Sequence, residues 1–258
     1  MNIFKQFIRS IYSPKDIASF RNQGIGKTIL YVFFLSLITV IPTMIYFSTA
    51  FTNGISSAKE TIQEEIPSFT IKDGQLQTDQ TEPIFIDRDD FTIVLDGTGA
   101  VDQASLKNRG NTIGILKDEF VLIAGGQTES YSYSLMNDLT ISKKDFTDFL
   151  NVIEKSLVII IPIVIIISFI FASALQFIEI SIVAAFGLLI KNSLRKNLQY
   201  RHLWRMSAYA VTLPTVFFFI MDFLKTAVPS AFLINFFVSL VILLLAIKDV
   251  PGEVNTED

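Results

Sequence analysis

Apolar and polar residues are sharply segregated along this chain. The longest apolar stretch, from Val152 to Ile190, contains only four charged or amide side chains, at Glu154, Lys155, Gln176 and Glu179. A helix needs about 20 mostly apolar residues to cross a hydrocarbon core of about 30 Å. Four segments meet that requirement and predict a multi-pass membrane protein: 28–51, 153–176, 206–225 and 229–247.

Charge divides the chain into two parts. The whole sequence holds 21 basic and 25 acidic residues, yet the segment between Phe51 and Asn151 carries a net charge of −9 and the rest carries +5. About a hundred residues are enough for a small domain. We therefore expect an acidic domain inserted between the first and second spans.

Basic residues predict the orientation of the spans. Five precede the first span and are opposed only by Asp16, and five more occupy the segment 191–205 without an acid. The positive-inside rule assigns both groups to the cytoplasm. The acidic domain is then extracytoplasmic, and both termini are cytoplasmic. No Asn-x-Ser/Thr sequon occurs, which agrees with a bacterial cell membrane.

Two arrangements of the stretch 152–190 stay open. Its 39 residues would measure about 58 Å as a helix, more than one crossing requires. A single span with a tilted or amphipathic continuation past Glu179 agrees with the charge rule and gives four spans in all. A tight hairpin at Gln176–Glu179 would give five.

The N-terminal segment has the periodicity of an interfacial amphipathic helix. Its apolar residues recur at helical spacing, with Lys5 and Arg9 on the other side. Ser13 followed by Pro14 is typical of a helix start, with Ser13 as the N-cap. The candidate contacts with anionic lipid headgroups are Lys5, Arg9, Lys191, Arg195 and Lys196.

Alternating apolar and polar residues predict strands in the acidic segment. The clearest signal is Phe69–Leu76 around the Asp73-Gly74 turn. Helices are expected at Ser56–Ile66 and Lys143–Lys155. Further strands are expected at Pro83–Ile86, Phe91–Leu95, Thr112–Leu116, Phe120–Ala124 and Thr128–Ser134. The prediction is a small, mostly antiparallel α+β domain.

The predicted fold is thus a membrane all-α bundle of four transmembrane helices, or five in the alternative, with an inserted small extracytoplasmic α+β domain. Residues 1–27 are expected to form an amphipathic cytoplasmic segment, and residues 28–51 the first helix. Residues 52–151 are expected to form the outer domain. Residues 152–247 then contain helices two to four with their basic loop, and residues 248–258 form a cytoplasmic tail.

Motifs that suggest catalysis have simpler explanations. Gly24–Thr28 lacks the first glycine and the preceding strand of a phosphate-binding loop. Asp96–Gly99 is best explained as a β-turn. Asp87, Asp89 and Asp90 do not have the spacing of an EF-hand and are expected at a solvated strand end. No cysteine and one histidine, His202, exclude disulfides, thiol nucleophiles and His-rich metal sites. No cofactor is expected.

Polar residues within the spans are the candidate functional contacts. Gln176 and Glu179 share one helical face, Asp222 and Lys225 are placed to neutralise each other, and Asn235 lies in the last span. Glu179 either pairs near the interface with the basic loop or contacts a partner helix or a substrate. Asn235 is its candidate companion or an interhelical hydrogen-bonding residue.

The order of parts resembles a known family. The residues that carry the resemblance are Ser13–Lys15, Ile93–Asp96, Lys117-Asp118 and Tyr200–Pro214. They resemble uncharacterised multi-pass membrane proteins of Firmicutes, related to the Yip (Ypt-interacting protein) superfamily. Some relatives are labelled maltodextrin utilisation proteins, which implies an accessory role beside a sugar transporter. The resemblance implies no catalytic residues, and Yip proteins usually have five spans.

These observations favour a non-enzymatic membrane accessory or scaffold protein whose outer domain senses or docks a partner. The expected partners are the lipid bilayer and another integral membrane protein or a second copy of the chain, with no nucleic acid. The alternative is a component of a small-solute transporter or channel that uses Gln176, Glu179, Asp222 and Asn235. An intramembrane enzyme is disfavoured because no known catalytic constellation is present.

Overall fold

A computed structural model of the chain describes residues 1–88, 91–136 and 139–251. The side chain of Met136 is outside that description, as are Asp89, Asp90 and most of the predicted cytoplasmic tail. The helices are α1 (Ile3–Tyr12), α2 (Pro14–Ser19), α3 (Ile25–Glu64), α4 (Gln103–Leu106), α5 (Lys143–Ser193), α6 (Tyr200–Ala210), α7 (Thr212–Phe223) and α8 (Ala231–Lys248).

The strands all lie between α3 and α5. They are β1 (Phe69–Lys72), β2 (Gln75–Thr78), β3 (Ile84–Asp87), β4 (Thr92–Leu95), β5 (Thr112–Ile115), β6 (Glu119–Ala124), β7 (Gln127–Ser132) and β8 (Ile141–Ser142). Each strand expected from the sequence is present within a few residues of its expected limits. The two-residue strand β8 was not expected.

Four helical segments of the described chain are long and apolar enough to cross a membrane: Ile25–Glu64, Lys143–Ser193, Tyr200–Phe223 and Ala231–Lys248. The four apolar segments predicted from the sequence are thus present as helices long enough to span a membrane. Helix α5 continues without a break over 51 residues, so the hairpin at Gln176–Glu179 is wrong. The expected helices at Ser56–Ile66 and Lys143–Lys155 are the end of α3 and the beginning of α5.

Proline has different effects in the spans. Pro42 and Pro162 lie inside α3 and α5 without ending either helix. Pro214 follows the break between α6 and α7 at Val211. Because proline has no N–H, Pro214 cannot donate to the carbonyl of Ala210, four residues earlier, which accounts for a break at this point.

The chain divides into two compact units. The first comprises Met1–Phe47 and Pro162–Asp258, and the second comprises Ser48–Ile161. The core of the first unit joins α2, α3, α5, α6 and α8 through buried residues such as Ile17, Leu35, Val183, Leu203 and Leu243.

Helix α5 has close neighbours within the first unit. A Cβ atom on Gly187 would lie 3.0 Å from Cδ2 of Leu243, so glycine here allows α8 to approach α5 closely. Trp204 of α6 stacks on Phe177 at 6.1 Å between ring centroids, and its Nε1 donates to Oγ of Ser181 at 3.2 Å. Trp204 therefore fixes α6 to α5.

The second unit contains two sheets. One has the order β2-β1-β8, and the other has the order β3-β4-β5-β6-β7. The β1–β2 hairpin turns at Asp73 and Gly74, both with positive φ, as a two-residue hairpin turn requires. All pairings are antiparallel except β4 with β5. The mostly antiparallel α+β unit is thus confirmed.

The ends of α3 and α5 are joined within the second unit. Ser56 and Lys59 of α3 both donate to the carboxylate of Glu154 on α5. Lys143 donates to the backbone carbonyl of Gln63 at 3.0 Å. Beneath the five-stranded sheet, Ile62 and Leu150 belong to the same apolar cluster as Ile93 and Ile115. Packing and polar contacts therefore both attach the sheet to these helix ends.

Candidate functional site

The candidate functional site is a row of polar side chains where α5 meets α8 in the first unit. Ser173, Gln176 and Glu179 follow one another at intervals of three residues on α5, and Asn235 and Ser239 are four apart on α8. Such spacings place each set on one face of its helix. We call these five residues the polar seam.

Contacts along the two helices bring the two halves of the seam together. The side chain of Asn235 on α8 interacts with the carboxyl of Glu179 on α5. Further along the two helices, the rings of Phe186 and Phe236 are in contact, with 5.2 Å between their centroids. No hydrogen bond of 3.5 Å or less joins the described side chains of Glu179 and Asn235. Asn235 therefore leaves Glu179 Oε1 without a partner among the described residues.

The seam contains buried polar atoms with unused hydrogen-bonding capacity. Five of them have no hydrogen-bond partner among the described residues: Ser173 Oγ, Gln176 Nε2, Glu179 Oε1, Asn235 Oδ1 and Ser239 Oγ. Buried polar groups normally have partners, and each exception requires an explanation. One donor, two acceptors and two hydroxyls can bind either another polar side chain or ordered water.

Glu179 differs from the rest of the seam in exposure. Gln176, Ser173 and Ser239 are buried, whereas Glu179 and Asn235 are half-buried. Ile178 and Ile182, on either side of Glu179 along α5, are exposed. Glu179 is thus partly exposed beside an apolar surface of α5, although its unpaired Oε1 atom is itself buried.

Asp222 does not belong to the seam. It lines a separate cavity of about 430 Å³ with Thr43, Tyr46 and Lys225. Phe177, next to the seam residue Gln176 on α5, contacts Phe33 of α3. Tyr46, which lines the Asp222 cavity, lies 13 residues further along α3, and this spacing corresponds to a rise of about 20 Å along the helix. The polar residues expected from the spans therefore form two separate groups.

Asp222 and Lys225 line the same cavity without forming a close ion pair. Within the described chain, no ion pair of 4.0 Å or less joins these two side chains. The Lys225 ammonium lies 4.6 Å from the ring centroid of Tyr46 instead, a cation–π contact. Lys225 has positive φ at the end of α7, so it has left the helical geometry in which residues three apart face one another.

The predicted headgroup contacts have different environments. Arg9 pairs with Asp16 at 2.9 Å, and Lys196 donates to the backbone carbonyl of Val250. Lys5 and Arg195 are exposed, and Lys191 is half-buried. Two of the five side chains thus already have partners within the chain, while the role of all five in lipid binding stays a prediction.

A buried polar network in the first unit was missed by the sequence analysis. Nε2 of Gln6 donates to Oε1 of Gln23 at 2.6 Å, and Nε2 of Gln23 donates to Thr28 Oγ1 at 3.1 Å and to the Tyr209 hydroxyl. The available signal was the polar face of α1, which carries Gln6 and Ser10. Both are buried.

Helix α1 is consequently inverted relative to a surface helix of a soluble protein. Its polar Gln6 is 2% exposed, whereas Phe4, Ile8 and Tyr12 are 62%, 55% and 68% exposed. A polar face buried against protein and an apolar face turned outward are expected where the surroundings are lipid. The geometry agrees with an interfacial helix.

Asp96 has a structural role in the second unit. The residue is fully buried; Oδ1 accepts from the Thr98 N–H at 2.8 Å and Oδ2 accepts from the Val101 N–H at 2.7 Å. Burial alone would raise the pKa of Asp96, but these hydrogen bonds outweigh it and lower the pKa. Asp96 therefore holds the loop after β4, in agreement with the turn expected here.

The acidic patch at 87–90 can be assessed only at Asp87, which accepts a hydrogen bond from Thr92 Oγ1 at 2.8 Å. Asp89 and Asp90 lie outside the described residues. Among the described residues, no group of three or more His, Cys, Asp or Glu side chains is placed to hold a metal ion.

Comparison with known proteins identifies a family without an assigned activity. A family model described as "Protein of unknown function (DUF1189)" matches residues 4–247. No curated protein and no solved structure matches the chain. The match leaves out only residues 1–3 and 248–258, and the chain therefore belongs to the DUF1189 family.

Proposed function

We propose that this protein is a non-enzymatic accessory or scaffold protein of the bacterial cell membrane. In this proposal the polar seam binds a helix of another integral membrane protein, and the acidic second unit senses or docks a partner outside the cell. The resemblance to proteins labelled for maltodextrin utilisation and to the Yip superfamily suggests a sugar transport system as the setting.

The unused hydrogen-bonding capacity of the seam carries the proposal. Hydrocarbon offers no hydrogen-bond partners, so a carboxyl and an amide at bilayer depth require another polar group. A Ser, Thr, Asn or Gln on a neighbouring helix would supply one, as is common where membrane helices associate. Exposed Ile178 and Ile182 beside Glu179 would supply apolar packing around that contact.

The proposed orientation is N-terminus and C-terminus inside, with the second unit outside. Its support is the distribution of basic residues. Because the chain contains no cysteine, single cysteines introduced at exposed Asn108 and exposed Lys5 can report it. A membrane-impermeant maleimide should label the Asn108→Cys variant in intact cells and the Lys5→Cys variant only after lysis. The opposite pattern would refute the orientation.

A crosslinked affinity pull-down from native membranes tests the function. A C-terminal tag would recover the protein, and mass spectrometry would identify what is recovered with it. The proposal predicts one integral membrane protein in stoichiometric amount from the wild type and its loss from the Glu179→Leu variant. Asp222→Asn, which changes the separate cavity lined by Thr43, Tyr46 and Lys225, should retain it. Recovery of this protein alone would refute the accessory role.

A component of a small-solute transporter is the second candidate. The proximity of Glu179 and Asn235 favours it, because carboxyl and amide groups at bilayer depth are typical of substrate and ion paths. The separation of Asp222 from the seam argues against one continuous path through all four predicted residues. Solute uptake that is lost in Glu179→Gln but kept in Asp222→Asn would favour transport.

A further inference from the structure

Four basic residues of the first unit form a cluster that the sequence analysis did not select. Arg201, His202 and Arg205 lie on the first turns of α6, and Arg21 lies in the short helical turn that packs against α6. The charges of all three arginines act on His202. We call these four residues the basic cluster.

Arg205 holds the cluster together and retains a free donor. Its Nη1 donates to the backbone carbonyl of Arg21 at 2.9 Å, which fixes the Arg205 side chain to the backbone of the short turn, while the Arg21 guanidinium donates to the carbonyl of Ala18 at 2.6 Å. Its Nε is buried and has no hydrogen-bond partner among the described residues. A guanidinium group offers five N–H donors in a planar fork, so an unpaired Nε calls for an acceptor.

His202 offers a second donor. Its Nδ1 accepts a hydrogen bond from the backbone N–H of Gln199 at 3.3 Å, as part of the capping box at the start of α6. A neutral imidazole that accepts at Nδ1 carries its proton on Nε2. The Nε2–H is therefore available to a ligand in either protonation state of the ring.

No carboxylate compensates the cluster within the described chain. The charges that act on His202 are those of Arg201, Arg205 and Arg21. Asp16, on the neighbouring helix α2, is engaged by Arg9 at 2.9 Å. The cluster therefore carries uncompensated positive charge, which a bound anion would neutralise.

We propose that the basic cluster binds a phosphate group. Arginine forks bind phosphate oxygens in bidentate fashion, and the first turn of α6 adds the positive end of its helix dipole. Arg201 is exposed and the other three residues are half-buried, so the group can enter from the surface. An anionic phospholipid headgroup and free inorganic phosphate both carry this chemistry, and the test separates them.

Trp204 provides the measurement. It is the only tryptophan of the chain and lies between His202 and Arg205 in sequence. Full-length protein in detergent would be titrated at constant ionic strength with short-chain phosphatidylglycerol, with phosphatidylcholine of equal chain length, and with sodium phosphate. We expect saturable changes in Trp204 fluorescence with phosphatidylglycerol and none with phosphatidylcholine. A response to sodium phosphate of equal affinity would identify free phosphate as the ligand, and a response to the lipid alone would identify the headgroup.

Matched variants distinguish a site from general charge attraction. Arg201→Gln should weaken binding about tenfold, the loss of one charge-assisted contact. Lys248→Gln removes the same charge at an exposed position that does not act on His202 and should change affinity less than twofold. Equal weakening by both variants, or equal binding of phosphatidylcholine, would overturn the proposal.

Two controls protect this test. Thermal unfolding without ligand shows whether Arg201→Gln is folded, and Arg205→Lys, which keeps the charge but loses the fork, should also bind more weakly.

Discussion

The hydroxyl oxygens of Tyr31 and Thr212 lie 2.6 Å apart, joining α3 to α7. Tyr31 is fully buried, and its ring lies 4.2 Å from that of Tyr209 between centroids. Tyr209 is in turn connected to Gln23 and Gln6. Hydrogen bonds and the contact between the two tyrosine rings thus link α1, the beginning of α3 and the α6–α7 pair.

The Tyr31–Thr212 contact should contribute measurably to stability. Tyr31→Phe keeps the aromatic packing and removes one hydrogen bond, so we expect a loss of about 0.5–1.5 kcal/mol. Thermal unfolding of the protein in detergent measures the change. Tyr12→Phe removes a hydroxyl from a largely exposed ring and serves as the control. Equal stability of the two variants would show that the buried hydroxyl makes no net contribution.

The inverted helix α1 makes a prediction about lipid contact. A spin label on Ile8→Cys should be accessible to oxygen, which partitions into lipid, and poorly accessible to a water-soluble nickel complex. The same label on Gln6→Cys should be shielded from both, provided thermal unfolding shows that the variant is folded, because Gln6 is buried against the bundle. Greater accessibility of the Ile8 label to the nickel complex than to oxygen would mean that this face of α1 is in water.

Hydropathy and spacing predicted much of the fold because they report local burial and turn chemistry. The Asp73-Gly74 hairpin and the Ser13 N-cap are local, and both are present. Other features depend on partners distant in sequence. Buried Gln6 is hydrogen-bonded to Gln23 and Tyr209, and Lys225 contacts the ring of Tyr46, which lies on another helix. Spacing along one helix cannot report such contacts.

The candidate site was predicted in part. Gln176, Glu179 and Asn235 were predicted as site residues because they are polar residues within apolar spans. In the structure, Glu179 and Asn235 lie together. Ser173 and Ser239 were missed because serine is common in membrane helices, where it usually bonds to its own backbone. Asp222 was grouped with the seam because the order of residues along the chain does not give their depth in the bundle.

Asp96 should control the stability of the loop after β4. We expect Asp96→Asn to weaken this region by about 2–3 kcal/mol, because an amide nitrogen cannot accept the Val101 N–H and burial leaves no water as a substitute. Amide hydrogen exchange at Thr98 and Val101 in the full chain measures it. Asp102→Asn, at the exposed N-cap of α4, should have a smaller effect. If the two variants are equal, Asp96 does not hold the loop.

The same carboxyl should give a pH dependence. The folded pKa of Asp96 is lowered, so its contribution is fully present above the unfolded pKa of about 3.9 and is lost as the pH falls through the folded value. Protection of the Val101 amide, corrected for intrinsic exchange, should therefore decrease in acid in the wild type. The Asp96→Asn variant should lack this acid-dependent loss of protection at Val101. If the variant loses protection in acid as the wild type does, another group is responsible for the acid dependence.

Glu179 should be unnecessary for the fold. Its Oε1 is unpaired within the described chain, so Glu179→Leu removes a poorly satisfied polar group and adds apolar surface. Such replacements are often neutral or stabilising. We expect a melting temperature in detergent equal to or above that of the wild type, measured beside Tyr31→Phe as a destabilised reference. A clear decrease would show that Glu179 stabilises the chain itself.

The central claim, that the polar seam binds a partner helix, is tested most directly by photocrosslinking in native membranes. A photoreactive amino acid would replace Ile182, beside Glu179, or Ile166, equally on the apolar surface of α5. We predict one discrete protein adduct at Ile182 that disappears when Glu179 is changed to Leu, and mainly lipid adducts at Ile166. Lipid adducts alone at both positions, or an adduct at Ile182 that persists in Glu179→Leu, would contradict the claim.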